Sequence, residues 1–360
     1  MYWILWATIV IGTIKEQKDE KNTQKWYIAV FFIMLIMAGL RYGQGTDYFT
    51  YENWYKYQVK DDVEIGYVLL TGIMYKIGMS FSACMSVIVT LEMLLFYSFI
   101  KKYSPYKLAS VLMLYPTIYL TYMFSLIRQS LALAFFCGIA LPFLLEEKYI
   151  KYLCGVLLAA SFHQTALIML VLPIICKMKY KYISLLTIPA SIAGMGLCLI
   201  DLRPLMISLL GGRGAYYAST WGNVDVSVMG IAERTLMMFV IWWASRPYLL
   251  EEENKVLNLC KIYTFGYILS ILSVRYQLIS SRLGSYCKIT ELVLLPCLMK
   301  DMDKKTRKIV LIFLILYSLI FLYKNIWSYI IQGDYQNTNV WTYPWITLFT
   351  KELLVFRRNV

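Results

Sequence analysis

The chain has 360 residues, of which 59% are hydrophobic and only 16% charged; a soluble domain carries about 25% charged residues, so a water-facing globular protein is excluded. Its net charge of +13 would suggest nucleic acid in a soluble protein. Here most of the lysines stand in short segments between apolar runs, and no basic face carries interleaved aromatics, so nucleic acid is set aside as a partner.

A spanning helix needs about 20 apolar residues. In chain order such runs fall at 1–14, 26–40, 82–100, 107–123, 127–145, 149–162, 165–176, 181–200, 230–248, 256–273, 283–300 and 308–324. They predict an all-α polytopic membrane protein, a bundle of about 12 transmembrane helices forming a single integral membrane domain over 1–360. The first run has no basic residue before it and no small-residue cleavage site after it, so it reads as a retained helix with its N-terminus outside. The runs either side of His163 are short and read as half-helices meeting at a break. A further run, 65–79, carries Lys76 and several glycines and reads as a helix lying at the outer surface.

Charge sets the sidedness. Short loops carrying Lys15, Lys18, Lys21, Lys25, then Lys101, Lys102, Lys107, then Lys148, Lys151, then Lys177, Lys179, Lys181 are predicted inside. The same holds for Arg246, Lys255, Lys300, Lys304, Lys305, Arg307 and Lys308. The outer segments are 41–81, 201–229 and 325–360, with short interfacial helices among them. Within 201–229, glycines and aromatics suggest either an irregular boundary loop or a plain connector. The eight cysteines fall mostly in apolar runs without a CxxC pair, and read as packing residues rather than a disulfide or metal framework.

Arginine, scarce in the predicted inner loops, gathers at predicted outer helix ends: Arg41, Arg128, Arg213, Arg234, Arg275 and Arg282. Topology needs only lysine, whereas a guanidinium fork grips phosphate with two prongs. Ionisable groups this close to hydrocarbon are costly, so a shared anionic ligand accounts for the set better than headgroup snorkelling of each. Arg128 stands where an apolar run begins, and Arg275 and Arg282 would share a face if their helix were continuous. His163, the single histidine, lies at the outer end of its run and suits proton transfer. In 39–51, Arg41 is followed by Gly43, Gly45, Thr46 and Asp47. The glycines permit close backbone approach to a ligand, and Asp47 either orients Arg41, takes a proton, or caps the next helix. The acidic run Asp61, Asp62, Glu64 reads as a solvated loop.

These segments resemble a known family. Arg41-Tyr42-Gly43-Gln44-Gly45-Thr46-Asp47-Tyr48 after an early helix resembles the EpsG family of Wzy-like polysaccharide polymerases. Ile127-Arg128-Gln129, Phe162-His163-Gln164-Thr165-Ala166-Leu167, and Arg282 followed by Tyr286 are similar to its later motifs, in the family's order, and Tyr343-Pro344 resembles its closing pair. The resemblance implies a metal-independent, cofactor-free glycosyltransferase with a GT-C-like bundle in the bacterial cytoplasmic membrane. Such a protein joins undecaprenyl-pyrophosphate-linked oligosaccharides, donor and acceptor, at the outer face, with membrane lipid and a chain-length regulator as partners. On that reading Arg128, Arg275, Arg282 and Arg41 bind pyrophosphate, and His163 and Asp47 are the catalytic candidates. Arg213, Arg234, Gly43, Gly45, Thr46 and Gln129 shape the substrate loops. Two other readings stay open: a flippase or exporter of the same lipid-linked glycan, and a membrane O-acyltransferase modifying a glycan.

Overall fold

The computed structural model describes residues 1–19, 23–198, 200–201, 204, 207–208, 228–250, 254–331 and 339–353. Arg213 and most of the 201–229 segment lie outside them. Among the described residues the regular elements are helical, and a lone antiparallel bridge pairs Arg41 with Thr347. The helices run α1 Tyr2–Glu16, α2 Gln24–Gly39, α3 Tyr48–Tyr57, α4 Ile65–Lys76, α5 Phe81–Tyr103, α6 Lys107–Leu114, α7 Ile127–Leu145 and α8 Tyr149–Ala160. They continue as α9 Gln164–Lys177, α10 Tyr180–Leu185, α11 Thr187–Leu197, α12 Val228–Ala244, α13 Lys255–Leu272, α14 Gln277–Lys288, α15 Glu291–Lys300 and α16 Lys304–Ile330.

Four of these, α5, α7, α13 and α16, are long and apolar enough to cross a membrane. At 23 residues α5 is about 34 Å long, against a hydrocarbon layer of about 30 Å. With 12 residues, α4 reaches only about 18 Å. Buried side chains from α5, α6, α7, α13 and α15, among them Phe96, Leu112, Leu133, Ile262 and Leu294, belong to one continuous apolar core. On the outside, Phe32, Ile73, Leu94, Ile192, Phe239 and Ile320 are each more than half exposed. Water would penalise that much bare apolar surface, and lipid does not.

Several predicted runs are subdivided. The predicted 107–123 is α6 followed by a wide π-helical stretch, Tyr115–Met123, with Pro116 at its start. A second wide stretch, Phe136–Ala140, precedes Pro142 inside α7; proline cannot donate to the turn before it, and the wider turn accommodates the loss. The predicted 181–200 divides at Leu186 into α10 and α11. The predicted 283–300 becomes α14, beginning six residues earlier at Gln277, and α15, separated at Ile289 and Thr290. The arms α8 and α9 lie side by side, with the Tyr152 hydroxyl donating to Met169 O and the Lys177 ammonium 5.2 Å from the Tyr149 ring, so His163 sits at the tip of a helical hairpin.

The predicted inner loops meet at one end. Lys102 and Lys148 both bind Glu146, at 2.6 and 2.8 Å, and together hold its carboxyl down at about 2. The Cys297 thiol reaches Tyr103 O at 3.3 Å, and Tyr248 donates to Asp301. Glu16, at the end of α1, is 3% exposed and accepts the backbone N–H groups of Leu108 and Ala109 at 2.9 and 3.2 Å. It thereby supplies partners for the open N-terminus of α6 from a different helix. Glu16→Ala is expected to strand both donors and cost about 1–3 kcal/mol, read as a lower melting temperature of the purified protein in detergent.

Candidate active site

At the opposite end, the loop after α2 is fixed from several directions. Gly43 and Gly45 have φ of 66° and 113°, a region open to glycine. A Cβ on Gly45 would lie 1.9 Å from Phe124 O, so the loop backbone lies directly against the chain leading into α7. Thr46 N–H donates to Ser125 Oγ at 3.1 Å, across the same junction. The chain near its end straps the other side. Tyr42 N–H donates to Ile346 O at 3.0 Å, Leu348 N–H to Leu40 O at 3.1 Å, and the Gln44 amide to Pro344 O at 3.0 Å.

Arg41 points into this framework. Its side chain is 2% exposed and donates to Ala38 O and Met123 O, each at 2.7 Å, with the guanidinium 4.7 Å from the Phe124 ring centre. The carbonyls at the ends of α2 and of the π-helical stretch are thus joined by one guanidinium. Both terminal nitrogens of Arg41 are engaged by these helix-end carbonyls.

Arg128, in the first turn of α7, is placed differently. Its Nη1 pairs with the Glu64 carboxylate, its guanidinium lies 4.9 Å from the Trp54 ring centre, and its side chain keeps 20% of its surface exposed. Glu64 departs from the solvated-loop expectation. Asp61 and Asp62 are exposed, but the Glu64 side chain is only 9% exposed, since α4 starts at the next residue and draws it against α7. Next to Arg128, Gln129 is buried and donates from Nε2 to Ser285 Oγ at 3.0 Å and Arg282 O at 3.2 Å, tying α7 to α14.

Arg282 is half-buried in α14, and both Arg282 and Arg128 lie within electrostatic reach of Asp47. Burial raises the Asp47 pKa above the usual carboxylate range, while a hydrogen bond with Thr46 and the two arginine charges pull it back. Asp47 stands at the N-cap of α3, but its side chain makes no capping bond there. Tyr122, within reach of Arg282 and Arg234, was not legible as a site residue. In a chain that is 16% aromatic nothing marks one tyrosine in an apolar run. Arg234, on α12, donates to Ser280 Oγ at 2.5 Å. Arg275 falls in the turn between α13 and α14 and donates to Cys198 O at 2.7 Å, so the break removes the shared face with Arg282.

His163 is 8% exposed. Its Nδ1 lies 2.6 Å from Thr165 Oγ1, which in turn donates to the Tyr286 hydroxyl at 3.4 Å. The tautomer of the ring sets which of Nδ1 and Thr165 Oγ1 donates to the other. The site therefore brings Arg128, Arg282, Asp47, Glu64 and the His163–Thr165–Tyr286 chain to one end of the bundle, with Arg234 alongside. Such a place can hold a dianionic group between guanidinium forks and move a proton nearby. A family model described as the EpsG family matches residues 24–344. No curated protein and no solved structure matches the chain.

Proposed function

The chain belongs to the EpsG family, a family of Wzy-like polymerases, and on that premise we propose that it joins undecaprenyl-pyrophosphate-linked repeat units into polysaccharide at the outer face of the bacterial cytoplasmic membrane. The observation that carries the reading is the convergence of Arg128 and Arg282 on Asp47, beside the chain that begins at His163. The proposed topology is a GT-C-like single integral domain of about 12 crossings, with the arginine-bearing end outside.

In the proposed reaction the acceptor hydroxyl attacks the anomeric carbon of the donor, and the bond from that carbon to the diphosphate breaks. The electron pair leaves on the diphosphate oxygen, so negative charge grows there in the transition state. Arg128 and Arg282 neutralise it with forks already in position. The hydroxyl proton passes to His163 Nε2 in the tautomer whose Nδ1–H donates to Thr165. Asp47 holds the two arginines toward each other, and Arg41 supports the loop that presents Asp47. Arg234 and Gln129 flank the diphosphate from α12 and α7, and Arg275 is proposed at the rim of the same end. Arg213 is proposed to act in the substrate loop, although it lies outside the described residues.

The test is direct. Purified protein given undecaprenyl-pyrophosphate-linked repeat units, with no ion gradient, is expected to produce a ladder of longer lipid-linked glycans. His163→Ala is expected to lower that rate by about 10²–10⁴-fold, the usual worth of a positioned acid–base group. Unlengthened glycan moved across a vesicle wall would instead indicate a flippase, and a full-rate ladder from His163→Ala would remove His163 from the mechanism.

A further inference from the structure

Glu64 meets Arg128 from a separate element, and its own helix does not need its side chain. It occupies the N-cap of α4 with extended backbone at φ −65°, ψ 140°, and its carboxylate makes no capping bond. Two residues on, Gly66 N–H donates to Ser161 O at 2.7 Å, and a Cβ there would fall 2.4 Å from Ser161 Oγ. The start of α4 is therefore pinned to the turn that carries His163. On the other side, the Arg128 guanidinium lies 4.9 Å from the Trp54 ring centre and within reach of the Tyr51 hydroxyl. The Glu64 carboxylate also lies within electrostatic reach of Tyr286, the far end of the His163–Thr165–Tyr286 chain.

Glu64 holds Arg128 through Nη1, and a diphosphate taking a two-pronged grip that includes Nη1 would displace it. We propose that Glu64 is a placeholder for the donor's diphosphate: it keeps Arg128 in position while the site is empty and yields it when the diphosphate arrives. The inference rests on the role given above to Arg128. The released carboxylate then faces the Tyr286 end of the chain, where its charge favours a protonated imidazole at His163. Donor binding and proton acceptance become linked, and the base strengthens only when a leaving group is in place. Glu64 is thus a positioning residue, acting through Arg128 and His163 without touching the reacting atoms. The bonds made and broken are those already described, with the acceptor's proton ending on His163 and the electron pair on the diphosphate.

A placeholder has a signature that a purely structural ion pair lacks. An internal competitor lowers apparent affinity by the fraction of time it occupies the site, so removing its charge tightens binding. The full-length protein in detergent, titrated with undecaprenyl pyrophosphate as probe, is expected to bind it about 3–10-fold more tightly as Glu64→Gln. The same variant is expected to polymerise at least about 10-fold more slowly at saturating donor, so kcat falls while the donor constant improves. Glu64→Asp, whose shorter arm loosens the pair, is expected to shift both in the same directions by less, and it carries the test if the glutamine variant does not fold. Binding by these variants no tighter than that of the wild type would overturn the inference. Unchanged binding by Arg128→Ala would instead overturn the underlying assignment of Arg128.

Discussion

Arg128→Ala is expected to lower polymer formation by at least about 100-fold, the scale on which a single preorganised charge partner of a transition state acts. The variant removes the fork proposed to meet the leaving diphosphate and also leaves the Glu64 carboxylate, 9% exposed, without its cation. Stranding a fully buried partner costs about 3–5 kcal/mol; here the cost is smaller, because the Arg128 side chain keeps 20% of its surface open. Lost stability and lost chemistry are separable. Arg128→Ala with Glu64→Gln removes both charges, so the melting temperature is expected to recover toward the wild type while polymerisation stays down. Arg128→Lys keeps the charge but not the fork, and should retain a minor part of the activity. The check is glycan ladder analysis beside a melting curve for each variant. Wild-type ladders from Arg128→Ala would end the diphosphate assignment.

Gly45→Ala is expected to be nearly as damaging by a different route. The residue sits at φ 113°, and a Cβ would lie 1.9 Å from Phe124 O and 2.6 Å from Phe124 C, both backbone atoms that no side-chain rotation can move aside. Strain and displacement together are expected to cost about 3 kcal/mol or more and to shift Thr46 and Asp47 off the entrance to α7. Gly78 supplies the contrast. It too has positive φ, 78°, but open space where a Cβ would go, so Gly78→Ala should cost only about 1–2 kcal/mol for the left-handed backbone and leave polymer formation intact. Melting curves and ladder lengths for the two alanine variants test the difference.

The long helices were legible because hydrocarbon imposes a length and an apolarity that sequence shows directly. The run 127–145 and α7 share their bounds, and the predicted 82–100 lies within α5. Elements with polar faces were not legible in the same way. The start of α14 carries Ser280, Ser281 and Arg282, polar residues that belong to no apolar run, so a search for apolarity began its span too late. In the candidate site, Arg128, Asp47, Arg282 and His163 stood out because charge or polarity at the end of an apolar run demands a partner. Glu64 did not, since it follows two aspartates that really are exposed. The available signal was its place immediately before an apolar run, mirroring Arg128 with opposite sign. The direction of Arg41 depended on carbonyls at Ala38 and Met123, the second 82 positions away, a pairing no local pattern contains.

The strap across the loop after α2 has a temporal meaning. Residues 40–44 receive their partners from Pro344, Ile346 and Leu348, some three hundred positions later. During synthesis the early helices enter the bilayer long before those partners leave the ribosome. A nascent chain can therefore be inserted and threaded while its first motif still lacks its final shape, and a product cut short before this stretch would reach the membrane without the finished loop that carries Asp47.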